Sequence, residues 1–233
     1  MKMVYVTSDL HGFSLERFQH FLAKVGFSEE DYLFILGDVI DRGEEGVAIL
    51  KWLLWQPNVQ LILGNHEAML LACEFLFREV DEASLDALTG AEIQAYRLWK
   101  SNGADPTLRA LRECSVEERT DIWEYLRECP LYDTVSLESG EFLLVHGGLD
   151  GFEEGKAIED YGAHTLLWSR PTPTDIYSEK FMTVVGHTPT HFYGAEYRGR
   201  ALHTKTFINI DTGCASGGTP MLLRLDDMKE FYM

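Results

Sequence analysis

The chain has 233 residues, of which 45% are hydrophobic and 25% charged, proportions that are ordinary for a globular protein. Its formal net charge of −18 repels nucleic acid and anionic membranes, so we expect neither as a partner. No apolar run reaches the roughly 18 residues that are needed to span a membrane. The four cysteines are scattered without a CxxC pair, which predicts reduced thiols in a cytoplasmic protein.

The first third of the chain alternates predicted strands and helices. Three short apolar runs end at polar turns, as buried strands do. They cover residues 3–8, 31–36 and 59–63. A helix is predicted after each strand, beginning after Ser14, over 44–55 and up to about Phe77. This alternation predicts a largely parallel sheet with crossover helices.

Residues 81–129 carry no strand pattern, and we predict that they form a helical insertion in a single domain that comprises residues 1–233. Helical patterns cover 91–100, 106–113 and 116–128. Ser115 and Glu118 match a capping box at the start of the last helix. We expect the surface that contacts substrate to vary in this insertion.

Strand patterns return after the insertion. A hairpin is predicted with a Ser139-Gly140 turn, and the segment 165–171 is interpreted as a short apolar turn that carries Arg170. The predicted strands cover residues 132–137, 141–145, 181–185, 192–197, 207–210 and 221–225.

Polar turns follow five of the predicted strands, and together they supply seven side chains that suit metal chemistry. These are Asp9, His11, Asp38, Asn65, His66, His146 and His187. Imidazole and carboxylate groups bind divalent first-row metals, and such a mixture suits two metals that share one carboxylate. Metal pairs of this kind activate water for in-line displacement at phosphorus. Asp38 lies midway in this arrangement, so we predict that it bridges the two metals.

The motifs differ widely in how specific they are. Asp9-x-His11 alone should occur by chance in roughly one chain in four. The segment Gly37-Asp38-x-x-Asp41-Arg42-Gly43 should occur by chance in roughly one chain in several thousand. Because the motifs occur together and each follows a strand, a functional site is favoured over a coincidence of surface residues.

These motifs resemble those of the calcineurin-like metallophosphoesterases, and within them the serine/threonine phosphoprotein phosphatases of the small bacterial and lambda-phage form. The matching segments are Asp9-x-His11, Gly37-Asp38-x-x-Asp41-Arg42-Gly43, Gly64-Asn65-His66-Glu67, His146-Gly147-Gly148 and Gly186-His187-Thr188. The resemblance runs from residue 3 to about residue 225, and the helical insertion matches only loosely. It implies an α/β fold, a four-layer α/β/β/α sandwich of two central sheets flanked by helices.

The resemblance also implies a role for each residue of the site. The first metal would be held by Asp9, His11 and Asp38, and the second by Asp38, Asn65, His146 and His187. His66 would be the general acid rather than a ligand, oriented by Asp41, whose carboxylate we expect to keep the imidazole protonated near neutral pH. Arg42 would hold phosphate oxygens in a bidentate fork, and Arg170 is the candidate second clamp.

The function that this resemblance implies is metal-dependent phosphomonoester hydrolysis on phosphorylated proteins or peptides. A hydroxide that bridges the two metals would attack phosphorus, while the metals and both arginines stabilise the developing charge. His66 would then protonate the departing serine or threonine oxygen. We expect Mn²⁺ as the metal, and the ligand set would also accept Fe, Zn, Co or Ni.

Alternative functions are open at this stage. The nearest alternative is a hydrolase of dinucleoside polyphosphates, such as diadenosine tetraphosphate, on the same fold. Those relatives typically lack the aspartate at the position of Asp41 and carry Asp in place of Glu67, so both residues favour the protein phosphatase. A binding module that has lost catalysis would lack a ligand or the acid, and this chain keeps both. The net charge disfavours a nuclease.

Overall fold

The computed structural model describes residues 2–77 and 88–233, which form ten strands and seven α-helices. The strands are β1 Val4–Thr7, β2 Tyr32–Leu36, β3 Val59–Ile62, β4 Tyr132–Leu137, β5 Gly140–Val145, β6 Met182–Val185, β7 Leu202–His203, β8 Phe207–Asn209, β9 Met221–Arg224 and β10 Lys229–Tyr232. The helices are α1 Leu15–Val25, α2 Gly46–Leu53, α3 Asn65–Leu71, α4 Gly90–Ser101, α5 Asp105–Glu113, α6 Val116–Glu128 and α7 Ala163–Trp168.

The strands form two five-stranded sheets, and the predicted parallel core is present in both. The first sheet has the order β10-β9-β1-β2-β3, with β1, β2 and β3 parallel. The second has the order β4-β5-β6-β8-β7, with β5, β6 and β8 parallel. Antiparallel strands occupy the remaining positions of each sheet. The carboxyl ends of six parallel strands are therefore available to build a site.

The alternation of side chains along each strand explains why the two sheets stack. Val4 and Val6 of β1 pack into the core between the sheets, while Tyr5 packs against the helices outside. Phe142 and Leu144 of β5 enter the same central core from the second sheet. Because successive side chains point to opposite faces, apolar residues at every position of a strand require cover on both faces.

The outer layers complete the predicted four-layer α/β/β/α sandwich, which is confirmed. Helices α1 to α6 all contribute to the core that covers the outer face of the first sheet. The outer face of the second sheet is covered by α7 and by irregular segments that include Tyr161 and Tyr177. The fourth layer is thus much thinner than the first.

Two local predictions are wrong. The segment predicted as an apolar turn over 165–171 contains most of α7, which ends at Trp168. The strand predicted over 192–197 is replaced by two 3-10 helices, Thr190–Phe192 and Ala195–Tyr197. Their aromatic residues mimic a strand pattern, but local bonds such as Phe192 N–H to Pro189 O close turns instead of a ladder. Strands β7 and β10 were not predicted from the sequence, because both are short and carry polar residues.

The predicted helical insertion is present as α4, α5 and α6, and its capping box at Ser115 and Glu118 is confirmed. Residues 81–87 of the insertion lie outside the described residues. The assignment of 1–233 to a single domain stays a prediction. Across the two described segments of the chain, no helix is both long enough and apolar enough to cross a bilayer.

We expect Phe18→Ala to destabilise the fold by about 3–5 kcal/mol, because it leaves a cavity beneath α1. Phe18 is fully buried, and its ring contacts Trp52 edge to face with centroids 6.2 Å apart. The matched control is Phe192→Ala, at a ring that is 70% exposed, which should change stability by less than about 0.5 kcal/mol. Chemical denaturation measures both, and equal losses would contradict this account of the core.

Candidate metal centre

The carboxyl ends of the parallel strands bring all seven predicted metal-site side chains together. Asp9 and His11 follow β1, Asp38 follows β2, Asn65 and His66 follow β3, His146 follows β5 and His187 follows β6. Each of the seven is at most 6% exposed. Polar groups that are buried to this degree need partners, because desolvation is costly. The assignment of individual metal ligands stays a prediction, and the geometry supports it as follows.

Asp38 lies at the centre of the cluster. Its Oδ2 lies 3.6 Å from His11 Nε2, and its Oδ1 lies 3.4 Å from His146 Nε2. Two groups of side chains have the spacing of metal ligands, His11 with Asp38 and His66, and Asp38 with His146 and His187. Asp38 belongs to both groups and presents one oxygen to each, as a bridging carboxylate would.

Backbone carbonyls fix the tautomers of two histidines. His11 Nδ1 donates to Ile40 O at 3.0 Å, and His146 Nδ1 donates to Leu36 O at 2.7 Å. The proton is therefore on Nδ1 in both rings, and the lone pair of Nε2 points to the centre. Histidine ligands of metals are commonly oriented by such bonds.

The second group of ligands converges on His146 Nε2. Asn65 Oδ1 lies 3.0 Å from this nitrogen, and His187 Nδ1 lies 3.2 Å from it. Together with Asp38 Oδ1, these atoms give one nitrogen or oxygen from each of the four residues that were predicted for the second metal. This donor set of imidazole, amide and carboxylate suits a first-row divalent cation.

Two buried polar atoms at the centre have no hydrogen-bond partner. Asp9 Oδ2 accepts the backbone N–H of His187 at 2.9 Å, but Asp9 Oδ1 has no donor. His187 Nε2 is likewise unpaired. Asp9 Oδ1 lies 3.9 Å from His11 Nε2, the position expected for a ligand of the first metal. The residues present therefore fit a metal at the first position as well as at the second.

The buried carboxylates of the centre also favour a bound cation. Burial raises the pKa of Asp9 well above its ordinary value, and repulsion from Asp211 and Asp38 raises it further. Burial raises the pKa of Asp38 in the same way, with repulsion from Glu67. Burial lowers the pKa of His187, which keeps that ring neutral and able to bind metal. A divalent cation would offset the repulsion among the buried carboxylates.

The loops that carry the ligands adopt strained backbone conformations. Asp9, His11, Asp38 and His187 have φ angles of 51°, 42°, 54° and 65°, in the left-handed region that residues with a Cβ rarely adopt. Gly37 and Gly64 allow the β2 and β3 loops to touch, since a Cβ on Gly37 would lie 2.4 Å from Gly64 Cα. Strain of this kind is typical of functional sites.

Glu67 holds these loops in place. Its carboxylate accepts the backbone N–H groups of Asp38 at 2.8 Å, Val39 at 2.9 Å and Gly64 at 3.1 Å. The side chain is fully buried, so these charge-assisted bonds are strong. Glu67 thus ties the β2 loop to the start of α3 rather than facing the metal position.

His66 and Asp41 form the predicted pair. His66 Nδ1 donates to Asp41 Oδ2 at 2.6 Å, and both side chains are buried. Two residues that the sequence analysis missed complete the partners of Asp41. Trp99 Nε1 donates to Oδ2 at 2.7 Å, and Thr107 Oγ1 donates to Oδ1 at 2.6 Å.

The charge state of this pair differs from the sequence-based expectation. Burial lowers the pKa of His66 to about 2, and the nearby Arg42 contributes in the same direction. Burial raises the pKa of Asp41 to about 6, although the hydrogen bonds from Thr107 and Trp99 lower it. Desolvation therefore outweighs the carboxylate's attraction for a proton on the ring. His66 is neutral at pH 7 unless the negative charge of a bound phosphate favours its protonation.

Arg42 contacts His11 and His66, and Arg170 contacts the His187–Thr188 segment. Arg42 donates from Nη1 to His11 Nε2 and from Nη2 to His66 Nε2, each at 2.9 Å. Arg170 is exposed, and its Nη1 donates to His187 O at 3.2 Å and to Thr188 Oγ1 at 3.0 Å. Both guanidinium groups therefore lie beside residues that are predicted to bind metal. Metal binding by His11 requires Arg42 to release the Nε2 lone pair.

The sequence analysis also missed Asp211, which follows β8 and is buried. Burial raises its pKa to about 7. It was detectable as a sixth polar residue after a strand, in the segment Ile210-Asp211-Thr212-Gly213. No comparable signal marks Trp99 or Thr107, because an aromatic and a hydroxyl residue on amphipathic helices are indistinguishable from ordinary core positions.

The fold and this centre agree with comparisons to known proteins. Residues 2–212 match the calcineurin-like phosphoesterase family, and the chain belongs to that family. It is therefore a metallophosphoesterase, a hydrolase whose clustered His and Asp residues can bind metal.

The relatives are named for two different kinds of activity. The asymmetrical bis(5'-nucleosyl)-tetraphosphatase PrpE of Bacillus velezensis is 27% identical over 91% of this chain and 84% of its own. The symmetrical bis(5'-nucleosyl)-tetraphosphatase of Acidovorax sp. is 28% identical over 63% of this chain, which spans only 44% of that enzyme. Serine/threonine-protein phosphatase 2 of Salmonella typhimurium is 29% identical over 72% of this chain and 67% of its own.

Solved structures support the fold. A crystal structure provisionally identified as a diadenosine tetraphosphatase superimposes with a TM-score of 0.64 and 16% identity, covering 100% of this chain and 93% of the other. At this identity the likeness concerns the fold alone.

We expect Asp38→Ala to lose both metal ions and all hydrolytic activity, because one oxygen of Asp38 faces each group of ligands. Elemental analysis after dialysis against Mn²⁺ measures the metal content. The control is Asp121→Ala, which removes an exposed carboxylate from α6 and should retain two equivalents. Two equivalents in Asp38→Ala would contradict the bridging role.

We expect His66→Asn to keep both metals but to lower kcat by about 10²–10⁴-fold on substrates with poor leaving groups. The loss should be smaller for 4-nitrophenyl phosphate, whose leaving group needs little protonation. Metal analysis is essential here, since His66 Nε2 lies only 3.8 Å from Asp38 Oδ2. Loss of a metal, or equal losses on all substrates, would make His66 a ligand instead of the acid.

Proposed function

We propose that the chain hydrolyses dinucleoside tetraphosphates with two divalent metal ions, cleaving the bridge into a nucleoside triphosphate and a nucleoside monophosphate. The observation that carries this proposal is the extent of the match to the asymmetrical tetraphosphatase, 91% of this chain and 84% of that protein. The match to the symmetrical enzyme covers far less of either chain. The coverage therefore favours asymmetrical cleavage.

The positive groups of the centre support a polyphosphate substrate. With a formal charge of −18, the chain must hold an anion through local cations. Arg42 and Arg170 provide two guanidinium groups, which bind phosphate oxygens in pairs more effectively than lysine does. We also propose that Mn²⁺ is the working metal and that the protein acts in the cytoplasm, away from nucleic acid and membranes.

The proposed chemistry assigns each residue one task. Bound metals would supply Lewis acidity and a water activated for attack on phosphorus. Arg42 transfers its hydrogen bonds from His11 and His66 to phosphate oxygens, and Arg170 binds the phosphate from the His187 side. His66 Nε2, once free of Arg42, would take up a proton from solvent, which the charge of the bound phosphate favours. It would then donate this proton to the leaving oxygen, which returns the ring to its neutral form. Asp41 holds the ring through Nδ1 during this transfer.

A phosphorylated protein or peptide is the second candidate substrate, and the His66–Asp41 pair favours it. A serine or threonine oxygen is a poor leaving group that depends on protonation. When the leaving group is a nucleotide, the departing atom is a phosphate oxygen with an ordinary pKa of about 6, so protonation by His66 is less necessary. The similarity to the Salmonella phosphatase supports the same candidate.

The deciding experiment compares diadenosine tetraphosphate with a phosphoserine peptide in the presence of Mn²⁺. We expect kcat/KM to be at least about tenfold higher for the dinucleotide, and chromatography to show ATP and AMP as products. Two equivalents of ADP would contradict asymmetrical cleavage. A tenfold preference for the peptide would replace this proposal with the second candidate.

Arg170→Ala provides a second test of the same site. It should lower kcat/KM for the dinucleotide without loss of metal, because Arg170 donates to His187 O and Thr188 Oγ1 and not to a side-chain atom that is predicted to bind metal. Arg109→Ala, at an exposed arginine that pairs with Glu44, is the matched control and should leave kcat/KM unchanged. An unchanged kcat/KM in Arg170→Ala would remove this residue from the phosphate site.

A further inference from the structure

The turn formed by Asp41 and Arg42 is stabilised by residues of the helical insertion, which lies outside the two sheets. Both residues have left-handed backbone conformations, with φ of 67° and 69°. Such a conformation is costly for a residue with a Cβ, so two in succession need support from neighbouring groups. That support comes from the junction between α4 and α5, in the helical insertion.

Backbone contacts with the junction fix the path of the turn. Arg42 N–H donates to Gly103 O at 2.9 Å, and Asp41 N–H donates to Thr107 Oγ1 at 3.0 Å. Gly103 has a φ of +100°, and a Cβ there would lie 2.9 Å from Arg42 Cγ. The junction therefore packs directly on the stem of the arginine that reaches His11 and His66.

Side-chain contacts fix the Asp41 carboxylate itself. Trp99 of α4 donates to Oδ2, the same oxygen that His66 contacts, and Thr107 of α5 donates to Oδ1. Trp99 is fully buried and Thr107 is 2% exposed, so water does not compete for these bonds. Thr107 bonds to both the backbone and the side chain of Asp41. Three donors thus determine the orientation of the carboxylate that orients His66.

We propose that Trp99 and Thr107 are positioning residues that make leaving-group protonation depend on the helical insertion. Among the described residues, their hydrogen bonds at the site go to Asp41, so both would act through Asp41 and His66. The inference rests on His66 acting as the acid in the proposed phosphoester hydrolysis. It assigns the insertion a direct mechanical link to catalysis, in addition to any contact that it makes with substrate.

The principal test is Thr107→Val, which keeps the shape of the side chain but removes the hydroxyl. We expect kcat for phenyl phosphate, which has a poor leaving group, to fall roughly 10- to 100-fold, while 4-nitrophenyl phosphate falls much less. KM and metal content should be unchanged. Thr107→Ser, which retains the hydroxyl, should recover kcat to within about threefold of the parent.

Matched controls separate positioning from a general loss of structure. Thr120→Val makes the same chemical change in α6, where the hydroxyl donates to Val116 O of the same helix, and should leave both rates unchanged. Trp99→Phe should reproduce the dependence on leaving group, whereas Trp123→Phe on α6 should not. If Thr107→Val and Thr107→Ser lose equal activity, or if both substrates lose equally, the proposal is overturned.

A combined variant tests the path of the effect. In a His66→Asn background, Thr107→Val should cause no further decrease for phenyl phosphate, because the group that it positions is already gone. A further full decrease would show that Thr107 acts elsewhere. Aryl phosphates contain neither nucleoside nor peptide, so this result does not depend on whether the dinucleotide proposal survives.

A measurement without substrate completes the test. The indole N–H proton of Trp99, identified by its loss in Trp99→Phe, should resonate downfield in the parent protein, as a proton bonded to a carboxylate does. Asp41→Ala should move this resonance upfield, since it removes the acceptor. An unchanged chemical shift in Asp41→Ala would contradict the bond to Asp41 on which the inference depends.

Discussion

The Glu67 carboxylate and the backbone amides that it binds are the contact on which the centre depends. Four N–H groups from two different loops point to one buried side chain, those of Asp38, Val39 and Gly64 and that of Ile40 at 3.3 Å. The loop after β2 can then adopt its left-handed turn at Asp38, with Gly37 against Gly64. Asp38 in turn accepts the backbone N–H of His66 at 3.0 Å, which places the start of α3. The ligands are thus positioned by hydrogen bonds that involve no metal.

Burial has opposite consequences in two parts of the site. Around Asp9, Asp38 and Asp211, desolvation and mutual repulsion raise the carboxylate pKa values, which a divalent cation would reverse. Around His66, desolvation keeps the ring neutral, so a proton on Nε2 depends on the charge of a bound phosphate. The same dry interior thus favours metal binding and links protonation of His66 to the presence of substrate.

The choice of substrate illustrates how structure limits inference from single residues. Asp41 and Glu67 favoured a protein phosphatase in the sequence analysis, whereas relatives that match over 91% and 96% of the chain are named as tetraphosphatases. Glu67 faces backbone amides and not the space where substrate would bind. The residue type at this position therefore indicates how the loops are held, not which substrate is bound. Asp41 contacts His66, so its identity bears on the proposed general acid.

The sequence alone predicted the alternation of strands and helices in the first third of the chain and the residues that meet at the centre, since apolar periodicity and polar turns after strands are local patterns. The sandwich fold was implied by the resemblance of these motifs to a known family. The sequence could not reveal α7 or the 3-10 helices after Pro189, where local hydrogen bonds override an apolar run. Only the tertiary structure showed that Trp99 and Thr107 contact Asp41, 58 and 66 residues away in the chain. Such contacts depend on how α4 and α5 pack on the first sheet, and no local pattern encodes that packing.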